Sequence, residues 1–335
     1  MAKQRILYLD VLRVLACGMV LLMHSPHPNS GVPSYVQVPL YFITAAGLVL
    51  YFMISGALLL STKMSIGAFL KRRIGKIAGP WLFWTLFYMA IDFPKGELSL
   101  GDIEELFVYV SSPGRHIMWF MFVLLGLYLI TPILSRFVSN ASRKEILFYL
   151  ILWCITLALP LFSPYSTLRL GISSPLYYFS GYVGYYLLDY YLHSSRSNIV
   201  KYVPLLLVLP LIAKCIYVFF DGQRSDDLFW YLSIPVMLMS IGWFGLFKQI
   251  CESRPTHSNK RLSVLSDCTF GIYLVHLFVM RYLLWKVDFI VYGYGWIGQM
   301  ALTWILTVSI SFGTVYLISF LPFSEFIIGY HQKLS

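Results

Sequence analysis

Apolar residues run along this chain in long unbroken stretches separated by short clusters of charge. Ten stretches stand out, at 6–24, 38–60, 77–91, 117–135, 146–161, 170–188, 202–220, 228–247, 268–284 and 297–321. A helix needs about 20 apolar residues to cross a hydrocarbon core of about 30 Å. The stretches do not alternate in the ~10-residue pattern of an outer-membrane barrel. They predict an all-α polytopic membrane protein with about ten transmembrane helices. No internal repeat, low-complexity tract or separating linker interrupts them, so residues 1–335 read as a single transmembrane domain with no appended soluble domain. The longest loop, about 92–116, has the pattern of a short helix around 102–110.

Charge gives the orientation. With both termini cytoplasmic, 17 of the Lys and Arg residues fall on the inner side, 5 on the outer side, and Arg13, Lys214 and Arg281 lie inside apolar stretches. This is a positive-inside pattern. Asp92, Glu97, Asp102, Glu104, Glu105, Asp221, Asp226, Asp227 and Asp288 all fall outside. The net charge of +10 is therefore a topology signal, and no nucleic-acid partner is expected. Of the 335 residues, 59% are hydrophobic and 12% charged, against about 25% charged in a soluble domain. That excludes a cytosolic enzyme, a secreted disulfide scaffold and a disordered regulator. The five cysteines have neither paired nor metal-like spacing, and no metal is expected. Lys3 and Arg5 before an apolar run resemble a signal peptide, but Asp10 and Arg13 interrupt the run. It reads as a permanent first helix.

Charged groups inside a membrane cost about 2.5–3.5 kcal/mol each on the insertion scale, so they mark candidate chemistry. Asp10 and Arg13 share a helix face and can pair. Arg13 and His24 are eleven residues apart, three turns plus ~20°, and so point the same way about 16 Å apart along the axis. The first helix thus carries a polar stripe, expected to look into a protein-lined tunnel between the two faces of the bilayer. A snorkelling Arg with an interfacial His is the alternative. Lys71, Arg72, Arg73 and Lys76 crowd the inner loop before the third stretch. They read either as a stop-transfer signal or as a dock for a cytoplasmic polyanion. His276, on the ninth stretch, is either a packed core histidine or a catalytic one. Trp119 and Tyr128 are core aromatics by default.

Several motifs resemble the acyltransferase 3 family, integral membrane enzymes that acylate cell-surface glycans. Leu9-Asp10-Val11-Leu12-Arg13, then Ala16 and His24, is similar to its first-helix pattern. Phe52-Met53-Ile54-Ser55-Gly56-Ala57-Leu58-Leu59 resembles its second-helix signature. Arg73-Ile74-Gly75-Lys76 stands where the family usually has Arg-x-x-Arg, with Lys replacing the second Arg. Trp119-Phe120 with Tyr128 and Pro132, Phe179-Ser180-Gly181-Tyr182-Val183-Gly184-Tyr185-Tyr186, and Gly271-Ile272-Tyr273-Leu274-Val275-His276 match later helices in order. The His…Trp-Phe…Tyr…Pro layout is similar to the subgroup containing the enterobacterial common antigen O-acetyltransferase, although His116 lies three residues before Trp119 rather than two.

The resemblance implies an integral protein of the bacterial cytoplasmic (inner) membrane. Its donor substrate would be cytoplasmic acyl-CoA, most simply acetyl-CoA, with no bound cofactor. Its acceptor would be a hydroxyl of a cell-surface glycan or lipid-linked saccharide. On that reading Arg72, Arg73 and Lys76 hold the donor phosphates, and His24 is the general base beside Arg13, itself held by Asp10. Ser55, His116, Trp119, Tyr128, Tyr273 and His276 are substrate or oxyanion contacts. Direct transfer and an acyl-His24 intermediate both remain open. Two other classes stay in view: a secondary transporter or flippase with Arg13 and His24 lining its path, and a membrane sensor. Oligomeric state is not legible.

Overall fold

The computed structural model describes residues 5–92, 118–162, 174–193, 201–221, 230–252 and 260–332. Among them the chain is helical throughout, with no strand. The helices are α1 Leu7–His24, α2 Ser34–Leu59, α3 Ile66–Asp92, α4 Trp119–Asn140, α5 Arg143–Phe162, α6 Val183–His193, α7 Val203–Asp221, α8 Ile234–Glu252, α9 Lys260–Leu277, α10 Asp288–Tyr292, α11 Gly295–Ile318 and α12 Ser324–Ile328. Among the described residues, seven helical stretches are long and apolar enough to cross a membrane. The protein is an all-α polytopic membrane protein.

Two expected elements are drawn differently by the structure. The basic run Lys71–Lys76 is not a loop: α3 begins at Ile66, so these cations occupy its early turns. Arg and Lys are good helix formers, and charge density alone does not end a helix. The sixth stretch is not one helix either. A 3₁₀ turn over Tyr177–Phe179 gives way at Ser180-Gly181, where Gly181 takes φ +89°, and α6 then runs for only 11 residues. That left-handed backbone suits glycine and breaks helical continuation. The short α10 and α12 had no counterpart in the apolar pattern. The expected helix near 102–110 lies outside the described residues.

At the turn between α4 and α5, the Ser142 backbone N–H donates to Glu145 Oε2 (2.6 Å) and the Glu145 N–H donates to Ser142 Oγ (3.3 Å). This reciprocal capping box starts α5.

The centre of the bundle is α1 with α2, flanked by α6, α8 and α9. In lipid, helices associate by close packing, and small residues permit it. A Cβ on Gly47 would stand 2.7 Å from Met19 Cβ and 2.9 Å from Ala16 O on α1. A Cβ on Gly56 would collide with the Tyr186 carbonyl on α6. The tail folds back along α3: Trp84 Nε1 donates to Ile327 O (2.8 Å), and Phe326 lies over Gly79. This brings residues 329–330 against α9 and α3, where they complete a cavity wall.

Candidate active site

Asp10 is the anchor of the first helix. It is buried, accepts a hydrogen bond from Ser266 Oγ on α9 (2.7 Å), and lies 3.4 Å from Arg13 Nη1 and 3.6 Å from Arg5 Nη1. Arg5 also reaches Asp267 Oδ2 at 2.5 Å. One carboxylate thus ties α1 to α9 and holds Arg13 by its neighbour one turn away.

Arg13 opens onto a cavity of about 250 Å³ among α1, α2, α3, α4, α9 and the tail. Arg13, Arg73 and Lys76 supply its positive charge, and Asp267, already paired with Arg5, is the only carboxylate among its lining residues. Ser55, Tyr51, Tyr128 and Tyr330 add polar edges. Arg73 is half-buried, and its Nε is buried with no hydrogen-bond partner. Leaving such a donor unsatisfied is costly unless a ligand satisfies it. Tyr330, on the tail, has its phenol held above the ordinary tyrosine range by desolvation and then by the Asp267 carboxylate, so it stands as a hydroxyl. Of the three cations expected to act together, the structure brings Arg73 and Lys76 to the cavity. Arg72 is exposed and does not line it.

Neither His24 nor His276 lines this cavity. Tyr273 and Phe120 do, with ring centroids 5.2 Å apart. Behind Tyr273, at 5.6 Å, lies the ring of His276, and 5.3 Å from it the ring of His24. Tyr273 thus touches both the Arg13 cavity and the histidine pair, and the cavity's lining does not extend to His24 or His276. His24 Nδ1 bonds Val20 O at 2.8 Å, and His276 Nδ1 bonds Tyr273 O at 2.6 Å. A carbonyl can only accept, so both Nδ1 atoms carry the proton in the neutral rings. Each Nε2 then presents a lone pair. His276 is fully buried, and its Nε2 has no partner. The pairing of the two histidines was not legible in a sequence that puts 251 residues between them.

The family model for the acyltransferase domain matches residues 6–323, nearly the whole chain. The chain belongs to the acyltransferase 3 family. No curated relative and no solved structure matches it.

The remaining positions of this membrane acyltransferase fall into place around the two centres. Ser55 faces the cavity, while the next residue, Gly56, admits α6. Trp119 packs with Tyr182 (6.1 Å) and Tyr231 (5.5 Å), and the Tyr231 hydroxyl lies 3.8 Å from Met23 Sδ, beside His24. Tyr128 lines the Arg13 cavity and Trp119 does not. His116 lies outside the described residues. Lys214 is buried. Arg281 is exposed, in the π-helical turn Phe278–Leu283 that follows α9. The Tyr88 hydroxyl on α3 enters α9 just before that turn. It donates to Leu274 O (2.8 Å) and accepts from the Phe278 N–H (3.2 Å), two groups an α-helix would join directly.

Sequence reasoning missed Tyr88, an ordinary core aromatic by its neighbours. It also missed Asp189, a fully buried carboxylate on α6 whose Oδ2 accepts the Ala57 N–H at 3.0 Å. An Asp in the apolar run 183–192 was the available signal for the latter.

Proposed function

We propose that this acyltransferase moves an acyl group, most simply acetyl, from cytoplasmic acyl-CoA to a hydroxyl of a cell-surface or lipid-linked glycan. The observation that carries the reading is the unpartnered, buried Arg73 Nε at a cavity that also holds Arg13 and Lys76. Three cations against one already-paired carboxylate suit the phosphates of an anionic donor. On the positive-inside orientation the cavity opens toward the cytoplasm, where acyl-CoA is found.

In the reaction, the acceptor oxygen attacks the thioester carbonyl and His24 Nε2 takes its proton. The tetrahedral intermediate then expels the CoA thiolate, which recovers that proton from the imidazolium. His24 is suited to this because its Nδ1–H is tied to Val20 O, leaving Nε2 as the acceptor. His276 Nε2 is a second lone pair beside it. The thioester would pass Tyr273, which lines the cavity and stands 5.6 Å from the His276 ring. The subgroup that acetylates enterobacterial common antigen is the acceptor class this layout most resembles, and the bacterial inner membrane is the proposed location.

Membranes holding the full chain, given labelled acetyl-CoA and an acceptor glycan, test the proposal. His24→Ala is expected to lower transfer by about 10²–10⁴-fold, the usual worth of a general base. Transfer at the wild-type rate would remove His24 from the chemistry. Movement of an intact solute without consumption of acetyl-CoA would instead support the transporter alternative.

A further inference from the structure

A second cavity, of about 620 Å³, lies where the α2–α3 connection meets the end of α4. Its lining includes Lys63, Arg136, Ser61, Ser65 and Ser135, and among the described residues contains no carboxylate. Neither Lys63 nor Arg136 has an ion-pair partner among the described residues. The connection is fixed rather than loose: the buried Ser135 Oγ donates to Thr62 O at 2.7 Å, tying the loop to α4. The cavity is separate from the one holding Arg13. Phe69 lines the second, Tyr128 the first, and their rings stand edge to face 6.5 Å apart between the two.

Apolar surface lies directly beside this cavity. Leu129, Ile133 and Arg136 follow one another at four- and three-residue spacing, so they form one stripe on α4. Leu129 and Ile133 are 53% and 67% exposed, and Ile66 and Met64 at the start of α3 are exposed as well. A stripe of open apolar surface therefore ends at two unpaired cations and a group of hydroxyls. That is the complement of a molecule with a phosphate at one end and an alkyl chain at the other. A free nucleotide or inorganic phosphate would use the cations but leave the stripe bare. Basic pockets between helices at the cytoplasmic surface suit anionic lipid headgroups on general electrostatic grounds.

We propose that this cavity binds the phosphate headgroup of an anionic phospholipid, with an acyl chain lying along Ile133 and Leu129. The site goes beyond acyl transfer and is read without any substrate of that reaction. Native mass spectrometry of the full chain in mixed micelles of phosphatidylglycerol and phosphatidylcholine provides the test. Wild-type protein is expected to retain phosphatidylglycerol selectively. The double variant Lys63→Gln/Arg136→Gln is expected to bind it roughly 25-fold more weakly, from the loss of two cations near the surface. Its thermal unfolding in zwitterionic micelles should match wild type, since both side chains are exposed and unpaired. Ser61→Asp, which places a negative charge at an exposed rim position, is expected to reduce retention in the same direction. Equal retention of the two lipids, or undiminished phosphatidylglycerol binding by both variants, overturns the proposal. Displacement of the lipid by adenosine 3′,5′-bisphosphate or inorganic phosphate would overturn it too, assigning the cavity to a free phosphate ligand.

Discussion

Substituting Gly56 by Ala perturbs a close backbone contact between α2 and α6 beside the candidate active site. A Cβ built there stands 2.9 Å from the Tyr186 carbonyl carbon and 3.0 Å from Tyr186 Cα, and nearer still to the carbonyl oxygen. Relaxed carbon contacts lie at about 3.5–4.0 Å. These Tyr186 atoms are backbone, so no rotamer change relieves the clash, and α6 must retreat from α2 by about 1 Å or more. That shift would stretch the 3.0 Å bond between the Ala57 N–H and Asp189 beyond bonding range, leaving both groups buried. Overpacking costs about 1–3 kcal/mol, and an unsatisfied buried pair about 1–3 kcal/mol more. Helix propensity returns about 0.5–1 kcal/mol. The expected net loss is about 1–5 kcal/mol.

Gly75 supplies the control. It is also inside a helix, but a Cβ there meets nothing within 4 Å, so Gly75→Ala should be neutral or stabilising by about 0.5–1 kcal/mol. Thermal unfolding of both variants in the same detergent, followed by tryptophan fluorescence, compares them directly. If Gly56→Ala unfolds at or above the temperature of Gly75→Ala, the close approach of α6 to α2 is not what the glycine is for.

Two further outcomes follow from the polar groups. Arg73→Ala should raise the KM for acetyl-CoA by about 10- to 100-fold, the worth of a charge-assisted hydrogen bond, with a smaller effect on kcat; steady-state kinetics at varied donor concentration separates the two. Asp10→Asn removes the charge shared by Arg5, Arg13 and Ser266, and should lower stability by about 1–3 kcal/mol in the same unfolding assay, whereas an unchanged midpoint would show that the carboxylate does not tie α1 to α9.

The helices were legible because lipid demands long apolar runs, and that demand overrides weaker signals. Arg13 and His24 were legible for the same reason: charge within such a run is rare. The placement of Lys71–Lys76 was not, since a cationic run is compatible with either a loop or an exposed helical turn. Nor could hydropathy reveal the break at Gly181, where one backbone angle rather than composition divides the segment. The tail was invisible because Ser324–Ile328 is too short to carry a period, yet it completes the cavity by folding onto α3. The Arg13 cavity and the histidine pair each draw on α1 and α9, and only tertiary structure shows that Tyr273 touches both.

The Tyr88 hydroxyl that enters α9 has a consequence for chain length. Beyond it the helix winds through one wide turn, Phe278–Leu283, which stores about one residue more than an ordinary turn would hold. Removing a single residue there would let the wide turn tighten into a regular one, with the chain on either side keeping its phase. This segment can therefore tolerate a one-residue change in length that would rotate every downstream side chain by about 100° in an uninterrupted helix.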